Sequence, residues 1–229
     1  MSTLRKVSGT IALLLVCAFL VLPKAEAIFY NYSYSNDLIV NQALGPIAKA
    51  ESGVDYYNWT PYSGDPEFGT VSNTGYFWLY KDTLSGELSL GMIFDTRNSG
   101  SGGKIEIKYA GIPKPPAYVA LSDDTGDDIK IKNSGDGTWK WKWNDKNTDG
   151  AVIGGLDNLE WTITLDLKKS EGINDWYLLS GPDPANPTQI ALNMGKDLVL
   201  QANAVPEPAS MLLLGTGLAG LLLRKKSRK

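Results

Sequence analysis

A short acidic loop in the middle of the chain has the spacing of a calcium site. It reads Asp145-Lys146-Asn147-Thr148-Asp149-Gly150, with carboxylate or carboxamide oxygens at its first, third and fifth positions and a glycine at the sixth. The twelfth position of an EF-hand loop carries a bidentate acid, but Leu156 stands there and Asp157 follows one residue late. The pattern predicts either a calcium site between strands or a polar Asx-rich turn. The ligands of such a calcium site would be Asp145, Asn147, Asp149 and Asp157.

Three tryptophans alternate with lysines in the run Trp139-Lys140-Trp141-Lys142-Trp143. On a β-strand the three indoles point to one face, about 6–7 Å apart, and the lysines point to the other. An exposed row of indoles at Trp139, Trp141 and Trp143 would be a platform for stacking sugar rings. A buried row would instead bring a large apolar area to the core. The lysines favour the buried interpretation, and the exposure of Trp141 distinguishes the two.

A second acidic run, Asp123-Asp124-Thr125-Gly126-Asp127-Asp128, places four carboxylates close together in sequence. Such charges repel one another unless a cation or a lysine lies between them. The run predicts a solvated turn, with a second calcium site as the alternative.

Catalytic chemistry has little support in the residue types. The chain has no histidine, and its one cysteine, Cys17, lies in an apolar run near the N-terminus. Ser-His-Asp and Cys-His sites are therefore excluded, as is a typical zinc site. A carboxylate pair for glycoside hydrolysis stays open as an alternative, because aspartate and glutamate are plentiful. We predict a protein that is not an enzyme.

The C-terminal tail carries three segments in a fixed order. Val205-Pro206-Glu207-Pro208 comes first, an apolar stretch covers 209–223, and a basic run covers 224–229. A membrane-spanning helix needs roughly 20 apolar residues, and the stretch falls short of that unless its basic neighbours snorkel. We predict a transmembrane helix at 209–223 and, from the positive-inside rule, a cytoplasmic tail at 224–229.

This order of segments resembles the PEP-CTERM domain of exported proteins in Gram-negative, exopolysaccharide-making bacteria. The resemblance covers the tail alone, and its sorting motif consists of Val205, Pro206, Glu207 and Pro208. It implies recognition by an exosortase, a membrane-embedded cysteine transpeptidase-like enzyme, and cleavage near Pro-Glu-Pro. A membrane anchor that is never cut is the alternative interpretation.

The N-terminus predicts a secretory signal peptide at 1–27. Arg5 and Lys6 precede an apolar run, and Ala25-Glu26-Ala27 supplies small residues before a cut at Ile28. The two end segments hold eight basic and two acidic residues, so the whole-chain totals of 22 and 25 leave the domain between them a net charge of −9. An acidic surface argues against nucleic acid as a partner.

The domain at 28–201 consists of short segments broken by Gly, Pro, Asn and Asp. Apolar and polar residues alternate strictly in 104–109 and 161–167, as half-buried strands require. The best short helix candidate covers 43–50. Many short strands predict an all-β, antiparallel sandwich of jelly-roll type, with a linker at 202–208. The predicted strands are 28–34, 38–42, 54–60, 75–81, 87–95, 104–110, 117–122, 128–132, 138–143, 159–167, 175–179, 189–192 and 197–201.

Together these features predict an exported, non-enzymatic protein of the cell surface or extracellular matrix. The secretion machinery, an exosortase and the membrane would be its partners. The alternative function is a calcium-assisted module that binds exopolysaccharide. An exposed aromatic groove beside the calcium loop would favour that alternative, and buried tryptophans would speak against it.

Overall fold

The computed structural model describes residues 29–60, 63–123 and 129–205. Within these ranges the chain forms thirteen β-strands and one short helix, α1 (Gly53–Tyr57), which confirms the predicted all-β class. The strands are β1 Phe29–Asn36, β2 Ile39–Ala43, β3 Ile47–Lys49, β4 Thr74–Asp82, β5 Leu88–Phe94, β6 Gly103–Ala110, β7 Tyr118–Ser122, β8 Gly137–Trp143, β9 Asp149–Gly154, β10 Trp161–Glu171, β11 Asp175–Ser180, β12 Thr188–Ala191 and β13 Leu198–Val205.

The strands form two sheets. Sheet A has the order β2-β1-β13-β10-β6-β8, and sheet B has the order β12-β11-β4-β5-β9-β7 with β3 also paired to β4. Strand β4 pairs in parallel with β11 along its first half and with β3 along its second half. The prediction of an antiparallel, jelly-roll-like sandwich is therefore wrong at these two pairs, and sheet B is mixed. The physical reason is that the edge of one long strand accommodates two shorter parallel strands in succession.

One face of each sheet contributes to a shared hydrophobic core. On β6, Ile105, Ile107 and Tyr109 are buried, while the lysines beside them are exposed. Phe77 and Phe94 reach the same core from sheet B. The strict alternation seen in the sequence of β6 thus reflects a strand with one wet and one dry face.

The central strands of sheet B are buried on both faces. The second face of this sheet forms a separate cluster with α1 and the loops around that helix. The central strands β5 and β9 are consequently buried at every position, and their sequences do not alternate. The buried members of this second cluster are Ile47, Tyr56, Tyr57, Tyr76, Trp78, Tyr80, Ile93, Val152 and Leu179.

Helix α1 stands where the sequence predicts a strand at 54–60. Ser52 caps its start, since the Ser52 hydroxyl accepts a hydrogen bond from the backbone N–H three residues later. Asn58 ends it in the left-handed region, at φ 52°. Tyr56 stacks on Tyr80 of β4 with ring centroids 4.7 Å apart. Capping and packing against sheet B therefore override the strand preference of the aromatic residues.

Other boundaries also differ from the sequence prediction. Residues 43–50, the best short helix candidate of the sequence, contain β3, because that segment pairs with β4. Residues 129–132 form no strand, although the two isoleucines there are buried. The predicted linker begins too early, since β13 continues through Val205. Strand β9 is absent from the prediction.

The first and last described strands lie side by side in sheet A. The hydroxyl of Ser33 donates to Gln201 Oε1 at 3.5 Å, and Asn36 Nδ2 donates to the carbonyl of Asp197 at 3.1 Å. Residue numbers rise along β1 as they fall along β13, so these strands are antiparallel. The chain therefore enters β1 and leaves β13 at the same end of sheet A.

Several predicted segments lie outside the described residues. They are the signal peptide at 1–27, Pro206, Glu207 and Pro208 of the sorting motif, the apolar stretch at 209–223 and the basic tail at 224–229. In the part of the chain that the structure describes, no helix is long and apolar enough to cross a membrane.

Candidate functional site

The predicted calcium loop forms a tight polar turn between β8 and β9. Asn144 Oδ1 accepts a hydrogen bond from the N–H of Lys146 at 2.8 Å, so an Asx turn starts one residue before Asp145. Asp145 accepts a hydrogen bond from Gly100 N at 3.3 Å through its carbonyl, and its side chain is exposed. The half-buried Asn147 donates its N–H to the carbonyl of Asn144 at 3.4 Å. This geometry is the Asx-rich turn that the sequence leaves open as the alternative.

Asp149 is fully buried, and its carboxylate binds main-chain N–H groups. Oδ1 accepts from Gly150 N at 2.8 Å, and Oδ2 accepts from Lys142 N on β8 at 3.1 Å. Strand β9 then carries the chain about 17 Å to Gly154, and Asp157 follows beyond that end. The four predicted ligands therefore do not converge, which corrects the ligand set. Among the described residues, no group of three or more acidic, cysteine or histidine side chains could hold a metal ion.

The tryptophan row of β8 packs into the core. Trp139, Trp141 and Trp143 expose 0%, 2% and 5% of their surfaces, whereas the two lysines between them are exposed. The ring centroid of Phe94 lies 4.9 Å from that of Trp141 and 6.2 Å from that of Trp143. The buried interpretation is confirmed. Burial also overturns the sugar-stacking role for these three residues, since their ring faces are covered by protein.

A buried aspartate that the sequence analysis missed fixes the end of β5. Asp95 Oδ1 accepts hydrogen bonds from Asn73 N and Thr96 N, both at 2.9 Å. Its Oδ2 accepts from Ser99 Oγ at 2.7 Å and from Trp143 Nε1 at 3.0 Å. Ser101 Oγ is a fifth donor at 3.5 Å, so this carboxylate is saturated and joins both sheets rather than presenting a reactive group. An acid directly after the apolar run of β5 was the signal that could have revealed it.

A second buried polar cluster links α1 to the β8–β9 turn. Tyr57 Oη donates to Asp123 Oδ2 at 2.8 Å, and Thr148 Oγ1 donates to the same oxygen at 3.4 Å. Gly64 N in turn donates to Thr148 Oγ1 at 2.7 Å. Asp123 is thus buried and bonded, unlike the solvated turn predicted for its run, of which residues 124–128 lie outside the described ranges.

An uncharged groove of about 910 Å³ crosses β2, β1 and β13 at the end of sheet A where the chain enters and leaves. One of its phenols, Tyr32, stacks on Trp161 at 6.4 Å between ring centroids. Burial raises the pKa of Tyr32, and the Asp157 carboxylate raises it further, so this phenol stays neutral at ordinary pH. Sequence reasoning missed the groove, because its strands lie at opposite ends of the domain. Its polar lining consists of Tyr30, Asn31, Tyr32, Ser33, Asn41, Gln201 and Asn203.

The last strand leads into a segment that comparison with known families identifies. Residues 204–229 match the PEP-CTERM protein-sorting motif. No curated protein and no solved structure matches the chain. The match confirms the resemblance predicted from the tail. The motif marks an exported, surface-directed protein that an exosortase processes.

Proposed function

We propose that this chain is a non-enzymatic protein of the cell surface or extracellular matrix of a Gram-negative bacterium. Its tail holds it in the membrane through the apolar stretch at 209–223 until an exosortase cuts near Pro206–Pro208. The observation that carries the proposal is the order along the chain. An acidic all-β domain ends at Val205, and the sorting motif at 204–229 follows without a spacer.

The chemistry of the domain supports a structural or binding role. The chain has no histidine, so a nucleophile paired with an imidazole base is unavailable to it. Asp95, Asp123 and Asp149 are buried and each accepts hydrogen bonds from protein donors. Acids of a glycoside hydrolase face a cleft that admits the sugar, and these three carboxylates instead support the fold.

Intact-mass measurement of the protein from its native host tests the processing. The expected mass lacks the residues before Ile28 and those after the Pro206–Pro208 region. A surface-located protein that still carries Arg224–Lys229 would overturn the proposal. Exchange of Glu207 for Ala provides the matched control, because it alters the sorting motif and leaves the described domain unchanged.

The groove of sheet A favours a second candidate function, the binding of a neutral saccharide chain. Its amide and hydroxyl groups match the donors and acceptors of sugar hydroxyls, and two tyrosines add aromatic surface. Without the two end segments, the domain has a net charge of −9. The residues that line the groove are nevertheless all uncharged. An uncharged polyhydroxylated ligand fits this lining better than an anion does.

Affinity electrophoresis through gels that contain the host's exopolysaccharide, a neutral glucan or a polyuronate tests this second function. We expect retardation by a neutral polymer, and its loss in a variant with Asn31→Ala and Gln201→Ala. The control is Gln189→Ala, which is also uncharged and lies exposed on β12, outside the groove. Equal migration of all variants in every gel would rule out saccharide binding here.

A further inference from the structure

On the side of β13 that faces β10, a side chain holds the last residues of the strand. The main-chain register between β10 and β13 ends at the pair Trp161 and Ala202. Beyond it, the N–H of Ala204 donates to Glu160 Oε1 at 3.0 Å. Glu160 thus continues the hydrogen bonding of sheet A on this side, past the point where the backbone of β10 stops pairing.

The same residues open the sorting motif. The motif covers 204–229 and β13 ends at Val205, so Ala204 and Val205 belong to both. Pro206, the next residue in the sequence, has no N–H with which to extend the hydrogen bonding of β13. In the sequence, Glu207 follows Val205, the last residue of the strand, by two positions. The chain has no spacer between the sheet and the motif.

We propose that the hydrogen bond from Ala204 N–H to Glu160 Oε1 is a latch that sets how readily the processing enzyme reaches the motif. This inference rests on the proposed cleavage near Pro206–Pro208. An enzyme that cuts a polypeptide acts on a locally opened segment, and its rate follows the open population when opening is fast. Release of residues 203–205 from sheet A lengthens the accessible segment before Pro206 by three residues. Glu160 is a positioning residue that acts through the strand.

Pulse-chase conversion of the full-length chain in the native host, followed by intact mass, measures the processing rate. We expect Glu160→Ala to speed conversion about three-fold, since a typical hydrogen bond to an exposed group shifts an opening equilibrium by that order. Glu160→Gln keeps the acceptor oxygen and restores the wild-type rate. Glu171→Ala is the matched control, because it removes an exposed glutamate paired with Lys169 at the far end of β10, the strand that Glu160 precedes.

A Gly-Ser-Gly-Ser spacer between Val205 and Pro206 provides the second variant. It supplies the accessible segment directly, so it speeds conversion, and Glu160→Ala then adds nothing. Amide hydrogen exchange gives a readout besides processing: Glu160→Ala accelerates exchange at Ala204 but not at Leu200, which lies in the paired part of β13.

The outcomes separate this inference from the proposed function. If the wild-type chain is never converted, the proposed function fails and the latch fails with it. If the wild-type chain is converted, but Glu160→Ala and the spacer leave both the rate and the exchange of Ala204 unchanged, the latch alone is overturned.

Discussion

Trp143 Nε1 donates a 3.0 Å hydrogen bond to the carboxylate of Asp95. Two residues earlier on the same strand, Trp141 has an equally buried indole whose N–H has no hydrogen-bond partner among the described residues. Both rings contact Phe94. Strand β8 therefore presents two tryptophans in similar apolar surroundings that differ in whether the indole N–H is satisfied.

This difference predicts unequal effects of the same substitution. We expect Trp143→Phe to lower the free energy of unfolding more than Trp141→Phe, by about 1–3 kcal/mol. The loss of volume is the same, but the first change leaves a buried carboxylate short of a donor and the second removes a donor that has no acceptor. Urea denaturation of the two variants measures the difference. Equal losses would show that the hydrogen bond to Asp95 contributes nothing.

Removal of the Asp95 carboxylate affects several donors at once. We expect Asp95→Ala to destabilise the domain by about 3 kcal/mol or more, because one buried indole N–H and several half-buried N–H and O–H groups lose their acceptor. Asp166→Ala, which breaks an ion pair with Lys168 at the surface, is the control and should cost less than about 1 kcal/mol. Similar losses in the two variants would contradict the role assigned to Asp95.

Chelation tests the corrected view of the acidic loop. We expect the thermal midpoint to be the same with added calcium and with chelator, because both oxygens of Asp149 already accept main-chain hydrogen bonds. Asp145→Ala should leave the midpoint unchanged, whereas Asp149→Ala should lower it. A midpoint that rises with calcium in the wild type and not in Asp149→Ala would restore a cation site at this loop.

Tyr56 and Tyr80 stack on each other in the hydrophobic cluster on the second face of sheet B, and this pair predicts a loss of stability at alkaline pH. Burial raises the pKa of Tyr56 and Tyr80 well above the ordinary value of 10.0, and Glu51 and Glu67 raise both pKa values further. The folded state therefore keeps both phenols neutral. Their contribution to stability is complete below pH 10 and declines as the pH rises above 10, where only the unfolded chain ionises.

Denaturation at a series of alkaline pH values measures this decline, and Tyr80→Phe should flatten it. Tyr118 supplies the control. A hydrogen bond with Glu87 and then burial raise its pKa to about 12, but 48% of its surface is exposed, so Tyr118→Phe should flatten the decline less. The same slope in the wild type and in Tyr80→Phe would show that the stacked pair does not govern alkaline unfolding.

Strands with one wet face were predictable from the sequence. Strands β6 and β10 alternate because the core covers one side and water the other. Strand β9 could not be found this way, because it is buried on both faces and starts with Asp149 and Gly150, residue types that are depleted in strands. Helix α1 was missed because its tyrosines are of a residue type that favours strands. In the structure these tyrosines are buried side chains of a helix.

The candidate sites also differ in whether the sequence alone reveals them. The sorting motif is contiguous, so its order of segments is visible in the sequence. The calcium-like spacing gave a wrong ligand set, because a main-chain N–H of the neighbouring strand and the N–H of Gly150 already occupy the two oxygens of Asp149. The groove of sheet A depends on β1 lying beside β13, as in the contact of Ser33 with Gln201. It was not predictable, because a local sequence pattern does not show which distant strands pair.

That pairing has a consequence for the order of events during export. A chain that crosses a membrane from its N-terminus delivers β1 first and β13 last. Sheet A lacks an interior strand until Val205 has crossed, so β1 and β10 have no common neighbour before then. Long-range pairings of this kind close slowly and leave strand edges open in the meantime. The domain thus completes its topology only when its sorting signal arrives. A chain without β13 should cross the membrane but stay incompletely folded, and quality-control proteases should degrade it.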